Sequence, residues 1–167
     1  MGQPEFGEAL RGNTGCALII AGSDSDRAHI EKIVSSLKMY EIPYEVRVCS
    51  AHKSPERLME LIAEYEGRGG ALVYVAVAGG TDALSGTLAF HADRPVISCP
   101  PDGANNSCLT NPPGSSNATI LSPKNVGRFI AQVFSSANPA LRKILERSRV
   151  EKIEQLDKKD AEFKNSL

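Results

Sequence analysis

The chain has 167 residues, 41% hydrophobic and 23% charged, with 19 Lys and Arg against 20 Asp and Glu for a net charge of −1. A chain of this size hides about 70% of its unfolded surface and builds a core without staples, while the balanced charge, the 5% aromatic content and the absence of Trp exclude a partner held by basic patches or base stacking, so no nucleic acid is expected. No run approaches the roughly 20 apolar residues that span a bilayer, so the expected partner is a small molecule, with no membrane involved.

Met1 to Thr14 carries acidic residues and no apolar signal core, and is read as a flexible leader over residues 1–14. Cys16 to Ala21 is a continuous apolar run ending at a glycine, the pattern of a strand buried on both faces. Ile30, Ile33, Val34 and Leu37 then repeat at helical spacing and place a helix over about 26–40. Tyr44 to Cys49 is a second strand. Ser54-Pro55-Glu56 supplies a cap, a first-turn proline and an acid for a helix carrying Leu58, Leu61, Ile62 and Tyr65. Leu72 to Ala78 is a third strand, Asp82 to about Phe90 a short helix, and Pro95 to Cys99 a fourth strand.

From Asp102 to Asn117 the periodicity fails, and a loop of that length inside a compact domain is expected to cover a site. A fifth short strand over 118–121 and a helix capped by Ser122-Pro123 close the alternation. Strands and helices in series imply an α/β fold, a three-layer doubly wound parallel sheet of the flavodoxin or Rossmann kind, in a single domain over 15–137. Residues 138–167 read as a long charged C-terminal helix whose thin stripe of Leu141, Ile144, Leu145, Ile153, Leu156 and Phe163 packs on a neighbouring subunit or, alternatively, frays into solvent after Glu154.

Cys16, Cys49, Cys99 and Cys108 match no metal or redox spacing and read as reduced, buried hydrophobes, which implies a cytoplasmic protein. No histidine has a second ligand at metal spacing, and neither a Walker loop nor a dinucleotide fingerprint follows the first strand, so neither metal nor cofactor is expected.

Three motifs follow the carboxyl ends of strands one, two and three: Gly22-Ser23-Asp24-Ser25-Asp26, Ser50-Ala51-His52-Lys53-Ser54-Pro55 and Ala78-Gly79-Gly80-Thr81-Asp82. Such ends are neighbours in a parallel sheet, so the motifs are expected to converge on one cleft. In the first, hydroxyls and free helix N–H groups suit a phosphate, while Asp26 suits the neutral hydroxyls of a ribose; a plain capping role for these residues is the alternative. In the second, His52 sits between a strand end and a helix start beside a cation. Burial there disfavours imidazolium and leaves the ring free to move a proton, and a surface loop histidine is the alternative. Lys53 suits a phosphate as a point charge. His29 and His91 show no sign of chemistry.

Together, in this order, the motifs resemble the phosphoribosylaminoimidazole carboxylase family of purine synthesis. GSDSD is similar to the family's GSxSD loop and SAHKSP to its SAH(R/K)xP loop, and Pro95 to Pro101 resembles its apolar strand before the site-covering loop. The resemblance implies His52 as the acid–base residue at the ring carbon, and Ser23, Ser25, Asp26, Ser50, Lys53, Gly79 and Gly80 as substrate-binding residues. It further implies a homo-octamer that works without metal, ATP or biotin. One branch of the family, a mutase, carries a second histidine where this chain has Ala83; Asp82 to Gly86 and Pro100-Pro101 are similar instead to the branch that adds free carbon dioxide to 5-aminoimidazole ribonucleotide. This chain departs from that branch at Gly80 and Thr110, where the pattern has Arg, at Asp82, where it has Asn, and at Pro113, where it has Ser. Those departures keep a third reading open, an inactive nucleotide-binding or scaffold homologue.

Overall fold

The computed structural model describes residues 3–103 and 106–164. Five parallel strands, β1 (Cys16–Ala21), β2 (Tyr44–Val48), β3 (Leu72–Val77), β4 (Val96–Ser98) and β5 (Ala118–Thr119), stand in the order β2-β1-β3-β4-β5. In register, Ala17 to Ala21 face Tyr44 to Val48 on one side, and Cys16 to Ala21 face Leu72 to Val77 on the other. Helices cover both faces, which explains why β1 and β3 are apolar throughout rather than alternating. Ala17, Ile19 and Ala21 pack with Val73, Val75 and Val77 beneath α2 (Arg27–Met39), α6 (Val126–Phe134) and the start of α7 (Pro139–Lys164). Cys16, Leu18 and Ile20 pack with Leu72, Tyr74 and Ala76 against α1 (Gln3–Arg11), α3 (Pro55–Gly67) and α4 (Ala83–His91). This is the doubly wound, single-domain sheet expected from the alternation.

The leader is a correction. Phe6, Ala9 and Leu10 fall at i, i+3 and i+4 and bury against the face that holds Leu18 and Tyr65, with the Phe6 and Tyr65 rings edge to face at 6.2 Å. A short polar segment with three correctly spaced apolar residues becomes a helix once a surface exists for it to cover. Two predicted caps also differ: neither the Ser54 nor the Ser122 side chain bonds its helix, whereas Ser23 and Asp82 do cap theirs. The loop over 102–117, the covering loop by the expectation that it covers a site, holds one short helix, α5 (Asn106–Leu109), and its positions 104–105 lie outside the described residues.

The C-terminal helix runs unbroken to Lys164. Leu141, Ile144 and Ser148 are buried, and the Tyr40 hydroxyl and Ser148 Oγ bond at 3.2 Å. Beyond Ser148 every described residue of α7 is exposed, including Val150, Ile153, Leu156 and Phe163. All four cysteines are buried and free; burial pushes the Cys16 and Cys99 thiols up to about 12. No helix among the described residues is long and apolar enough to cross a membrane.

Candidate active site

Because β1 lies between β2 and β3, the loops leaving these three strands open side by side at the carboxyl edge of the sheet. They enclose a cleft of about 160 Å3 lined by Gly22, Ser23 and Asp26 from the first loop, Ser50, Ala51 and His52 from the second, and Ala78, Gly79 and Thr81 from the third; Ala83 and Leu84 of α4 complete the wall. Thus Ser23, Asp26, Ser50, His52 and Gly79 of the predicted residues share one cleft. Ser25, Lys53 and Gly80 do not line it. A larger groove of about 720 Å3 runs between α6 and the exposed half of α7, lined by Arg128, Phe129, Arg149 and Ile153 among others. It reaches the end of β5 through Thr119 and Ile120 and contains none of the three motifs. The smaller cleft is the candidate site because convergent polar groups, not volume, orient a ligand.

Local bonds hold each loop. Ser23 Oγ accepts from the Ser25 backbone N–H at 3.2 Å and from Ser25 Oγ at 2.8 Å, so Ser25 braces the serine that lines the cleft. Ser50 Oγ accepts from the Lys53 N–H at 3.3 Å, closing the turn that presents His52. His52 and Lys53 are exposed in the single chain. The desolvation of His52 expected from its place in the sequence is therefore not supplied by this chain's own residues, because the turn leaves the ring at the cleft's open side.

The third loop is anchored from below. Asp82, only 4% exposed, caps α4 by accepting the Ser85 N–H at 2.9 Å through Oδ1, and it accepts the Ser98 hydroxyl at 3.2 Å through Oδ2. This residue, read in the sequence only as a departure from a pattern, pins the wall formed by Thr81, Ala83 and Leu84 to β4. Above it, Gly80 has φ +63°, a conformation that favours glycine, and its N–H donates to Asp102 Oδ2 at 2.6 Å. Asp102 belongs to the covering loop, and nothing local in the sequence signals its contact.

His29, which the sequence left without a role, bonds Cys99 O through Nε2 at 3.1 Å. It joins the start of α2, one turn past Asp26, to the end of β4. Burial lowers its pKa below the ordinary 6.5; the Cys99 carbonyl and Asp26 oppose that shift and Lys32 adds to it. Among the described residues, no group of three or more His, Cys, Asp or Glu is placed to hold a metal ion.

Fold and cleft together define a doubly wound α/β protein with a small-molecule site beyond the carboxyl ends of β1, β2 and β3. Residues 17–155 match the AIR carboxylase family, and the chain belongs to that family. It is 42% identical over 136 residues to the bifunctional phosphoribosylaminoimidazole carboxylase/phosphoribosylaminoimidazole succinocarboxamide synthetase of Rattus norvegicus, a match covering 77% of this chain and 32% of that protein. The chain thus spans about a third of the length of such bifunctional relatives. It is 40% identical over 124 residues to the phosphoribosylaminoimidazole carboxylase of Treponema denticola, covering 71% and 78% of the two chains. The crystal structure of Treponema denticola PurE superposes with a TM-score of 0.83 at 31% identity, covering 88% of this chain and 97% of that one.

Proposed function

We propose that this chain is a carboxylase of de novo purine synthesis, acting in the cytoplasm, that adds carbon dioxide to ring carbon 4 of 5-aminoimidazole ribonucleotide to give the 4-carboxy product. The observation that carries the reading is the convergence of Ser23, Asp26, Ser50, His52 and Gly79, from three separate loops, on one cleft. The electron-rich ring carbon attacks carbon dioxide, forming the carbon–carbon bond. One proton must then leave the tetrahedral ring carbon to restore the aromatic ring, and His52 accepts it. Asp26 and Ser23 hold the ribose side of the nucleotide, with Ser25 bracing Ser23. The cleft is too small for a whole nucleotide, so the phosphate extends past the rim towards Lys53, and the Gly79–Gly80 turn faces the reacting end.

Holding carbon dioxide against the ring in a site shielded from water lowers the barrier by positioning, and a placed general base contributes about a hundred- to ten-thousand-fold. Ala83 lies on the cleft wall, where the mutase branch carries its second histidine, and this supports direct carboxylation. The exposed apolar residues of α7, Val150, Ile153, Leu156 and Phe163, support assembly of several copies, the octamer implied by the resemblance.

Purified protein given 5-aminoimidazole ribonucleotide and bicarbonate is expected to form product absorbance. His52→Asn should lose that activity while its circular dichroism stays that of the wild type, and full activity in the variant overturns the role of His52. Turnover only with the carboxyamino nucleotide as donor makes the chain a mutase instead. Binding without turnover from either donor makes it a nucleotide-binding homologue.

A further inference from the structure

The Gly79–Gly80 turn already holds an anion, and that anion is the chain's own. Gly80 presents its N–H to Asp102 Oδ2 at 2.6 Å, the short distance of a charge-assisted bond. Gly79 allows the approach because it has no side chain: a Cβ there would lie 3.0 Å from Asp102 Oδ2 and 3.2 Å from Cγ. Gly79 also lines the cleft, so the carboxylate is seated at the cleft's edge on the same turn. Asp102 is exposed and enters from the covering loop, four residues after β4 ends, so its seat is not forced by packing.

We infer that Asp102 is a resident competitor for the oxyanion subsite at the Gly79–Gly80 turn, and that an anionic group of the substrate or product must displace it before it can use the Gly80 N–H. The inference rests on the carboxylase reading for the identity of the ligand, but the occupied turn itself does not. One N–H bonds one oxyanion well, and a second negative charge brought beside Asp102 is repelled. The displaced carboxylate frees the start of the covering loop, so ligand binding and loop release are coupled. Either the nucleotide's phosphate or the new ring carboxylate has the right chemistry, and they are separable.

The test compares wild type with Asp102→Asn, which keeps a carbonyl oxygen for the Gly80 N–H but no charge, and with Asp102→Ala, which removes both. Calorimetric titration uses ribose 5-phosphate as the phosphate probe and imidazole-4-carboxylate as the carboxylate probe, while the Gly80 amide resonance is followed by NMR. Removing an exposed charge interaction is expected to tighten one probe about fivefold in Asp102→Ala, with Asp102→Asn between. The Gly80 amide should respond to that probe at lower concentration than in wild type. The probe that gains identifies the displaced group. Unchanged or weaker binding of both probes in both variants overturns the inference, as does the absence of binding in all three proteins. These readouts need no turnover: a gain in binding by a chain that never carboxylates its substrate keeps the competitor and sinks the carboxylase reading, and turnover without any gain does the reverse.

Discussion

Asp82→Ala removes one buried carboxylate and leaves two donors stranded, the Ser85 N–H and the Ser98 hydroxyl. Losing a helix cap costs about 1 kcal/mol, and a buried hydroxyl left without its acceptor costs about 1–3 kcal/mol. Ser85 and Ser98 are both 0% exposed, so water cannot repair the loss without opening the structure, and Ser85 Oγ already lacks a partner among the described residues. The expected destabilisation is therefore about 2–4 kcal/mol, which for a domain of this size lowers Tm by roughly 5–15 °C. Asp82→Asn separates charge from shape. Its amide oxygen keeps the cap on Ser85 and its NH2 group donates to Ser98 Oγ, which turns to accept but leaves its own proton without the carboxylate, so the expected cost is about 1 kcal/mol, below that of the Ala variant. Urea unfolding followed by circular dichroism measures both. Because Thr81, Ala83 and Leu84 stand on the same anchored loop and helix start, the Ala variant should also lose the proposed carboxylation at temperatures where it is still folded, and the Asn variant should recover it. An Asp82→Ala protein within about 0.5 kcal/mol of wild type, or an Asn variant as damaged as the Ala one, refutes the reasoning.

Gly127→Ala brings a methyl within 2.2 Å of Ser36 O, where α6 crosses α2, and disturbs the Gly127 N–H bond to Ser36 Oγ at 2.9 Å. Overpacking a fixed backbone contact is expected to cost about 2 kcal/mol or more despite alanine's better helix propensity, and an unchanged urea midpoint would contradict the close approach. His29 makes stability depend on pH in one direction. Burial favours its neutral ring in the fold, so the unfolded chain binds the proton first, and the contribution present above about pH 6.5 is lost as pH falls below it. The urea midpoint should drop more between pH 7.5 and 5.5 in wild type than in His29→Gln, and equal drops remove His29 from the account.

The apolar runs of β1 and β3 and the helical stripes of α2 and α3 were legible because burial on both faces of a parallel sheet demands unbroken hydrophobicity, a local pattern. The Ser, His and Gly motifs that follow β1, β2 and β3 likewise converge on the candidate cleft, since parallel topology brings such strand ends onto one edge. The α1 helix was not legible: three apolar residues in a polar segment carry no helix signal until Tyr65 and the sheet give them a surface. Neither was the anchoring of the site. Asp82 meets Ser98 across 16 residues and Asp102 meets Gly80 across 22. A carboxylate's partner is set by which loops the fold brings within about 3 Å, and sequence spacing does not encode that distance. Composition and periodicity thus determined the sheet and the neighbourhood of the site. Only the tertiary structure decided that His52 stands at an open rim and that an aspartate from the covering loop sits on the glycine turn, because exposure and contact belong to the surfaces that meet when the elements pack.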